Sequence, residues 1–224
     1  MIGQRLTLLR VYLDMSERTK SHMAAQALLN AALDDRLAGG TMLQGEMGLG
    51  RGRIVHTSLN EVQLDALPLI LQCADTDDRI REFVERRSNL FAGHLTTLEK
   101  VWLVQRADGR QLSEPVQDVP MPAGRQKLIR VFFNDRDQVN DTPLAKVVSE
   151  TLGTMARFVM TITAVEGFGA HKKLHKNRIL HPDRNHPVML SALVTADNFE
   201  RAVHATISAA PNTTIIVESV SSLH

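Results

Sequence analysis

Two stretches of this chain repeat one another 120 residues apart, Leu8-Leu9-Arg10-Val11-Tyr12 and Leu128-Ile129-Arg130-Val131-Phe132. Arg10 and Val11 recur unchanged as Arg130 and Val131. Further along, Gly48-Leu49-Gly50 is echoed by Gly167-Phe168-Gly169 at an offset of 119, and His56/His175, Pro68/Pro187 and Glu99/Glu218 keep that offset. A single deleted residue between the landmarks explains the change. One constant register over several separated landmarks indicates a duplication, which fixes the architecture before any residue-level reasoning. The 224 residues therefore divide into two modules of ordinary small-domain size, residues 1–105 and 127–224. Between them, 106–126 carries Gly109, Pro115, Pro120, Pro122 and Gly124 without a hydrophobic period, and reads as a linker.

Within the first copy, Arg5 to Leu13 is apolar and β-rich, whereas Met23, Ala27, Leu28, Ala31 and Ala32 recur at helical spacing. Gly39-Gly40 is expected to stop that helix. A second strand is predicted over Thr41 to Met47, followed by a polar loop as far as Leu67. Pro68 to Ala74 has strand length. Asp75 or Thr76 can cap a helix that turns Ile80, Phe83 and Val84 inward, and Leu95 to Val104 closes the module as a strand. The second copy repeats the order with strands near Lys127 to Asn134, Phe158 to Glu166, Pro187 to Thr195 and Asn212 to Ser221, and helices over Thr142 to Met155 and Ala196 to Ala209. Each copy is βαββαβ. The fold class is α+β, two tandem ferredoxin-like modules with antiparallel sheets and helices on one face.

Composition narrows the function classes. Lys and Arg number 26 against 25 Asp and Glu, so no global field is available to hold DNA, and any anion site must be local. The single Cys73, set in an apolar run, excludes a disulfide framework within one chain. No apolar stretch approaches the roughly 20 residues that span a bilayer, and the N-terminus lacks a signal-peptide core. A cytoplasmic protein is the expectation.

The candidate ligand-binding residues cluster at the two glycine turns. Gly48 and Gly50, and Gly167 and Gly169 around Phe168, allow positive φ and close backbone approach, so that N–H groups can face an anion. Basic side chains follow each turn: Arg51, Arg53 and His56 after the first, Lys172, Lys173, His175 and Lys176 after the second. These would supply charge-assisted bonds to phosphate or carboxylate oxygens. The bland alternative is a tight turn followed by a solvated loop.

Met160-Thr161-Ile162-Thr163-Ala164-Val165-Glu166-Gly167-Phe168-Gly169 resembles the strand and turn that enter the long T-loop of PII signal proteins. The first copy is closer still to the PII-like family called domain of unknown function 190. Its opening Leu9-Arg10-Val11-Tyr12-Leu13, its central Gly45 to Gly50 with Arg53-Ile54 and His56, and its last strand around Thr97-Leu98-Glu99-Lys100-Val101 carry that resemblance. The resemblance implies a regulatory protein, a homotrimer whose inter-module clefts bind a small anionic ligand, with nucleotides among the candidates, and whose mobile loops touch a partner such as a membrane transporter or channel. The chain also departs from the nucleotide-binding PII pattern. Where that pattern has a Gly/Lys-rich turn before the last strand, the copies read Ala92-Gly93-His94-Leu95 and Ala210-Pro211-Asn212-Thr213, and the only tyrosine, Tyr12, lies in the first strand. A phosphate-gripping lysine is missing there, and no cofactor is assigned.

Three rival readings are weaker. His171, His175, His181 and His186 could coordinate a metal, but Lys172, Lys173 and Lys176 would repel a cation, so no metal ligands are assigned. The same element order builds RNA-recognition domains, yet those stack bases on aromatics of the central strands, and this chain has 4% aromatics with none in Pro68 to Ala74 or Pro187 to Thr195. An enzyme would need a nucleophile with a base, paired carboxylates or a metal-bound water. No such set stands out, and no catalytic residue is assigned. Glu46 and Glu166 precede the turns as turn-facing carboxylates, and Glu99 and Glu218 are expected in structural pairs.

Overall fold

The computed structural model describes residues 2–17, 23–49, 55–57, 67–107, 117–118, 126–169, 175–176 and 186–221. The first copy contains β1 (Ile2–Asp14), α1 (Ala24–Asp34), β2 (Gly39–Gln44), β3 (Met47–Leu49), β4 (Val55–Thr57), β5 (Pro68–Asp75), α2 (Asp77–Arg86), α3 (Ser88–Phe91) and β6 (Leu95–Gln105). After β7 (Gln117–Asp118), the second copy contains β8 (Gln126–Asn134), β9 (Gln138–Val139), β10 (Thr142–Pro143), α4 (Leu144–Gly153), β11 (Ala156–Thr163), β12 (Glu166–Phe168), β13 (His175–Lys176), β14 (Pro187–Thr195), α5 (Ala196–Ala209) and β15 (Thr214–Val220). The predicted α+β class and the βαββαβ order of both copies are present. Two differences concern the second copy and the linker. Helix α4 begins later than expected because Thr142-Pro143 pairs with Gln138-Val139 instead, and the linker contributes β7, which pairs with Ile2-Gly3.

The duplication is visible in the strand registers. In the first copy β1 pairs antiparallel with β5, Thr7 opposite Asp75. In the second, β8 pairs with β14, Lys127 opposite Val194. The offsets are 120 on the first strand and 119 on its neighbour, the values read from the sequence landmarks. Likewise Gly40 faces Cys73 in the β2–β5 pair and Val159 faces Ala192 in the β11–β14 pair. A one-residue slip would have turned every side chain to the opposite face, so the deleted residue must lie outside these strands.

The compact units do not coincide end to end with the repeats. One unit comprises Thr7–Glu99 with Ala164–Arg178, the other Met1–Leu6, Lys100–Thr163 and Ile179–His224. In the first unit β5 lies between β1 and β2, and the far edge of β2 is taken by β12, a strand of the second copy. Its core joins Leu9, Val11, Leu71 and Cys73 of the sheet to Leu28, Leu29 and Ala32 of α1 and to Ile80 and Phe83 of α2. In the second unit the order is β11-β14-β8-β15-β6, and the sheet packs Ile129, Val131, Leu190 and Ile215 against Val148 and Leu152 of α4 and Ala202 and Val203 of α5. Each such fully buried Val, Leu, Ile or Phe side chain contributes about 1.5–3 kcal/mol.

Local signals explain the helix ends, with one correction. Gly39-Gly40 does not stop α1, since both glycines are strand residues of β2. The stop is Arg36 in the left-handed conformation at φ 58°. Leu37 N donates to Ala32 O (3.0 Å) and Arg36 N to Leu33 O (2.9 Å), the paired bonds of a Schellman ending. Arg79 of α2 completes it, its Nη2 donating to the carbonyls of Asp35 (2.7 Å) and Arg36 (3.0 Å). At the start of α2, Thr76 occupies the cap position without a side-chain capping bond, and Asp75 instead accepts from the N–H of Thr76 (2.7 Å) and of Ala38 (2.9 Å).

Candidate functional site

The glycine turns expected at 48 and 167 are strand residues of two short hairpins. In one, β3 pairs with β4 and Gly48 faces His56; in the other, β12 pairs with β13 and Gly167 faces His175. The two hairpins are in identical register, so the duplication extends into the segment that carries the candidate ligands. They differ in their second edge. β12 also pairs with β2, Gly167 opposite Thr41 and Phe168 opposite Gly40.

That double pairing corrects one expectation. Neither Gly167 nor Gly169 adopts positive φ; among the described residues the left-handed glycine is Gly93, at φ 90°. Gly167 has ladder partners on both sides, and a ladder requires extended backbone. The role of small residues here is close approach, and it falls on Gly40. A Cβ built there would stand 2.5 Å from Phe168 Cε1 and 2.9 Å from Cζ, so the ring occupies the space that any side chain would need. Phe168, expected beside a ligand, is buried to 5% exposure in the first unit's core. His175 and Lys176 lie in β13, Lys176 opposite Glu166. Gly50, Arg51, Arg53, Lys172 and Lys173 lie outside the described residues, as do His171 and His181 of the histidine cluster. The remaining histidine, His186, has Nδ1 2.9 Å from Asp135 Oδ2, and its backbone N–H donates to Asp135 Oδ1 at 2.9 Å. Among the described residues no group of three or more His, Cys, Asp or Glu is placed to hold a metal.

Polar groups that the sequence reading did not bring together sit within each sheet. Arg10 pairs with Glu99, and Arg130 with Glu218. In the second copy Glu218 faces Leu128 across the β8–β15 ladder, two residues from Arg130, so the pair is a same-face diagonal. The structural pairing expected for the two glutamates is present. Its partners were signalled by the recurrence of Arg10 as Arg130. Lys127 had no such signal, because its counterpart in the first copy is Thr7. It is fully buried, with Nζ 2.5 Å from Ser219 Oγ, 5.9 Å from the Trp102 ring centre and 5.8 Å from that of Phe199. Aromatic faces within about 6 Å attract a cation, but burial still pushes the ammonium pKa below its ordinary value. Lys127 is thus packed into the interior of the second unit.

A family model covers both copies, matching residues 6–103 and 126–222 to domain of unknown function 190, DUF190, described as an uncharacterised ACR. The chain belongs to the DUF190 family. It is a tandem DUF190 protein, PII-like in resemblance and ferredoxin-like in fold, with one family domain per repeat. A relative from Aquifex aeolicus, the UPF0166 protein, is 26% identical over 97 residues, which is 42% of this chain and 95% of that one. One DUF190 copy of this chain thus corresponds to nearly the whole of that relative. Among solved structures, an unknown protein from Galdieria sulphuraria matches at 12% identity and TM-score 0.29 over 97% of this chain and 99% of its own. The regulatory subunit of aspartate kinase from Thermus thermophilus matches at 11% identity and TM-score 0.30, covering 92% of each chain. Among the described residues no helix is long and apolar enough to cross a membrane.

Proposed function

We propose that this DUF190 protein is a non-catalytic regulator that binds a small anionic ligand through the connections and second strands of its two hairpins. The supporting observation is the shared hairpin register, Gly48 opposite His56 and Gly167 opposite His175. The two hairpins carry equivalent glycine-to-basic sequences, Arg51 and Arg53 in one copy and Lys172, Lys173 and Lys176 in the other. Phosphate or carboxylate groups suit such donors, and nucleotides are the first class to test. Because the second copy is richer in cations, it is the stronger ligand site. Ligand occupancy then alters the contact of these segments with a partner, for which a membrane transporter or channel is the family-level candidate.

A thermal-shift series with ATP, ADP, AMP, inorganic phosphate and divalent metals tests this reading. A ligand at about 100 times its Kd stabilises by about 2.7 kcal/mol. The expected result is stabilisation by a phosphorylated compound that is lost in Lys172→Ala/Lys173→Ala. Stabilisation by a divalent metal alone, unaffected by those substitutions, would transfer the site to the histidines.

A further inference from the structure

Leu9, Val11, Met42, Leu71 and Cys73 pack with the helices of the first unit, so the alternate residues of the same strands lie on the other face of the sheet. Two neighbouring rows run across that face. In one, Arg10 stands opposite Gln72, Gln72 opposite Thr41 and Thr41 opposite Gly167. In the next, Leu8 stands opposite Ala74 and Ala74 opposite Gly39, and Gly169 lies one residue past the end of β12. Gly39, Gly167 and Gly169 lack a Cβ, and Ala74 has only a methyl. A Cβ built on Gly39 would come no closer to its surroundings than 3.6 Å, at Phe168 O, and one on Gly169 would meet nothing within 4 Å. The adjacent glycines thus serve different ends on the two faces: the space at Gly40 is taken by the Phe168 ring, and the space at Gly39 is open.

The second copy keeps the same frame with large side chains in it. Phe158 faces Leu193 and Met160 faces Ser191, which are the counterparts, 119 residues on, of Gly39 with Ala74 and of Thr41 with Gln72. The hollow therefore belongs to the first unit. It extends about 10 Å across three strands and about 7 Å along them, room for a single ring. Its polar side holds an unmatched group. Gln72 is 7% exposed, and among the described residues its buried Oε1 meets no hydrogen-bond partner. Folded proteins seldom leave such an acceptor unmatched, so its partner is a group supplied from outside the fold. Gln72 and Gly167 are buried, Gly39, Thr41 and Ala74 half-buried and Gly169 exposed, so the hollow opens to solvent beside β12. Arg10, next in the row, is paired with Glu99, and the two charges offset one another.

We infer that this hollow binds a small, uncharged, planar ligand with an amide edge, an N–H donor beside a carbonyl acceptor. The Gln72 amide presents the complementary edge, since its oxygen accepts and its nitrogen donates. The Thr41 hydroxyl supplies a further donor or acceptor. The glycines let a flat ring lie against the strand backbone, and Leu8 closes the end of the second row as an apolar wall. Few polar groups set in a mostly apolar hollow is the usual composition of a small-molecule site. Because the Arg10–Glu99 pair leaves no net charge beside Gln72, the hollow favours a neutral group over an anion. It is separate from the anionic site proposed above and does not depend on it.

Benzamide is the probe and benzoate its charged isostere, each added to the isotope-labelled full chain. Benzamide is expected to raise the unfolding temperature and to shift the side-chain amide resonances of Gln72, and benzoate to do neither. Gln72→Leu should weaken benzamide about tenfold, the loss of one buried hydrogen bond. Gly39→Phe, which installs the residue type of the second copy, should abolish binding with unchanged circular dichroism. Lys172→Ala/Lys173→Ala should bind benzamide as the wild type does, so failure of the anionic reading would leave this one intact. No response to benzamide, equal binding of benzoate, loss of benzamide binding in Lys172→Ala/Lys173→Ala, or undiminished binding in a folded Gly39→Phe chain would each overturn the inference. Should Gly39→Phe fail to fold, Gln72→Leu decides it, and unaltered affinity there would be equally fatal.

Discussion

Arg130 and Glu218 form an ion pair in which the two side chains are 12% and 9% exposed, and Arg10 and Glu99 form the equivalent pair with the glutamate 35% exposed. The same two residues recur in the same strands and the arginines are equally buried, but the second copy withdraws the glutamate further from water. Coulombic attraction is screened where one partner reaches solvent, so a half-exposed glutamate contributes about 0–1 kcal/mol, whereas loss of a buried one costs about 3–5 kcal/mol. Glu218→Ala is therefore expected to cost several times more stability than Glu99→Ala. Urea denaturation of the two variants measures the difference, and equal losses would mean that burial does not set the strength of these pairs.

Gly40 and Phe168 are expected to be coupled. Gly40→Ala places a methyl where the ring stands and should destabilise by about 1–3 kcal/mol, the usual cost of overpacking. Phe168→Leu alone should also destabilise, by leaving a cavity. The double variant should recover part of the loss, because the smaller leucine frees the space that the added methyl needs. A double-mutant cycle measures the coupling, and strictly additive losses would count against close packing of this pair.

Asp35 ties the end of α1 to the end of α2. Arg87 donates to it at 2.8 and 3.1 Å and Arg86 lies 3.4 Å away, and chiefly the Arg87 hydrogen bonds hold its carboxyl below the usual aspartate range, against an opposing effect of burial. A folded-state pKa below the unfolded one gives stability that is complete above the unfolded value, near 3.8, and lost as pH falls through the folded value. Asp35→Asn should lower stability at neutral pH by about 1–2 kcal/mol and flatten the loss below pH 4. Thermal unfolding of both proteins across pH 2.5–7 tests this about 4-unit window. A wild-type and variant difference that does not shrink on acidification would refute the assignment.

Cys73 is 1% exposed in the first unit's core, and burial, with a smaller contribution from Asp75, pushes its thiol pKa up to about 12. Only the thiolate is a nucleophile. A disulfide reagent at pH 8 should leave Cys73 unmodified in the native protein and titrate one thiol per chain in denaturant. Rapid native labelling would show that the β1–β5–β2 core opens readily.

Much of this architecture was legible in the chain itself. The repeat, its two offsets, the βαββαβ order and most strand limits follow from local periodicity and from landmarks such as Arg10/Arg130 and Glu99/Glu218, because hydrophobic period and turn chemistry act over a few residues. Gly39-Gly40 misled as a helix stop because the left-handed position went to Arg36, where the Schellman bonds and Arg79 hold a residue that carries no local mark of the role. The basic loop residues were legible as a candidate site by composition alone. Phe168 was not legible as core, since its burial depends on Gly40, well over 100 residues earlier, lacking a Cβ.

What the sequence by itself determined is that one module is written twice and in what order its strands and helices run. What only the tertiary structure decided is which strand lies beside which: that β12 leaves its own copy to seal β2 in the unit Thr7–Glu99, while Lys100 to Gln105 and the first residues of β1 join the other unit. The physical reason is that sheet neighbours are joined by backbone N–H and C=O groups common to every residue. The backbone of β2 and of β11 offers the same groups, and it is the packing of Phe168 on Gly40 that brings β12 to the edge of β2.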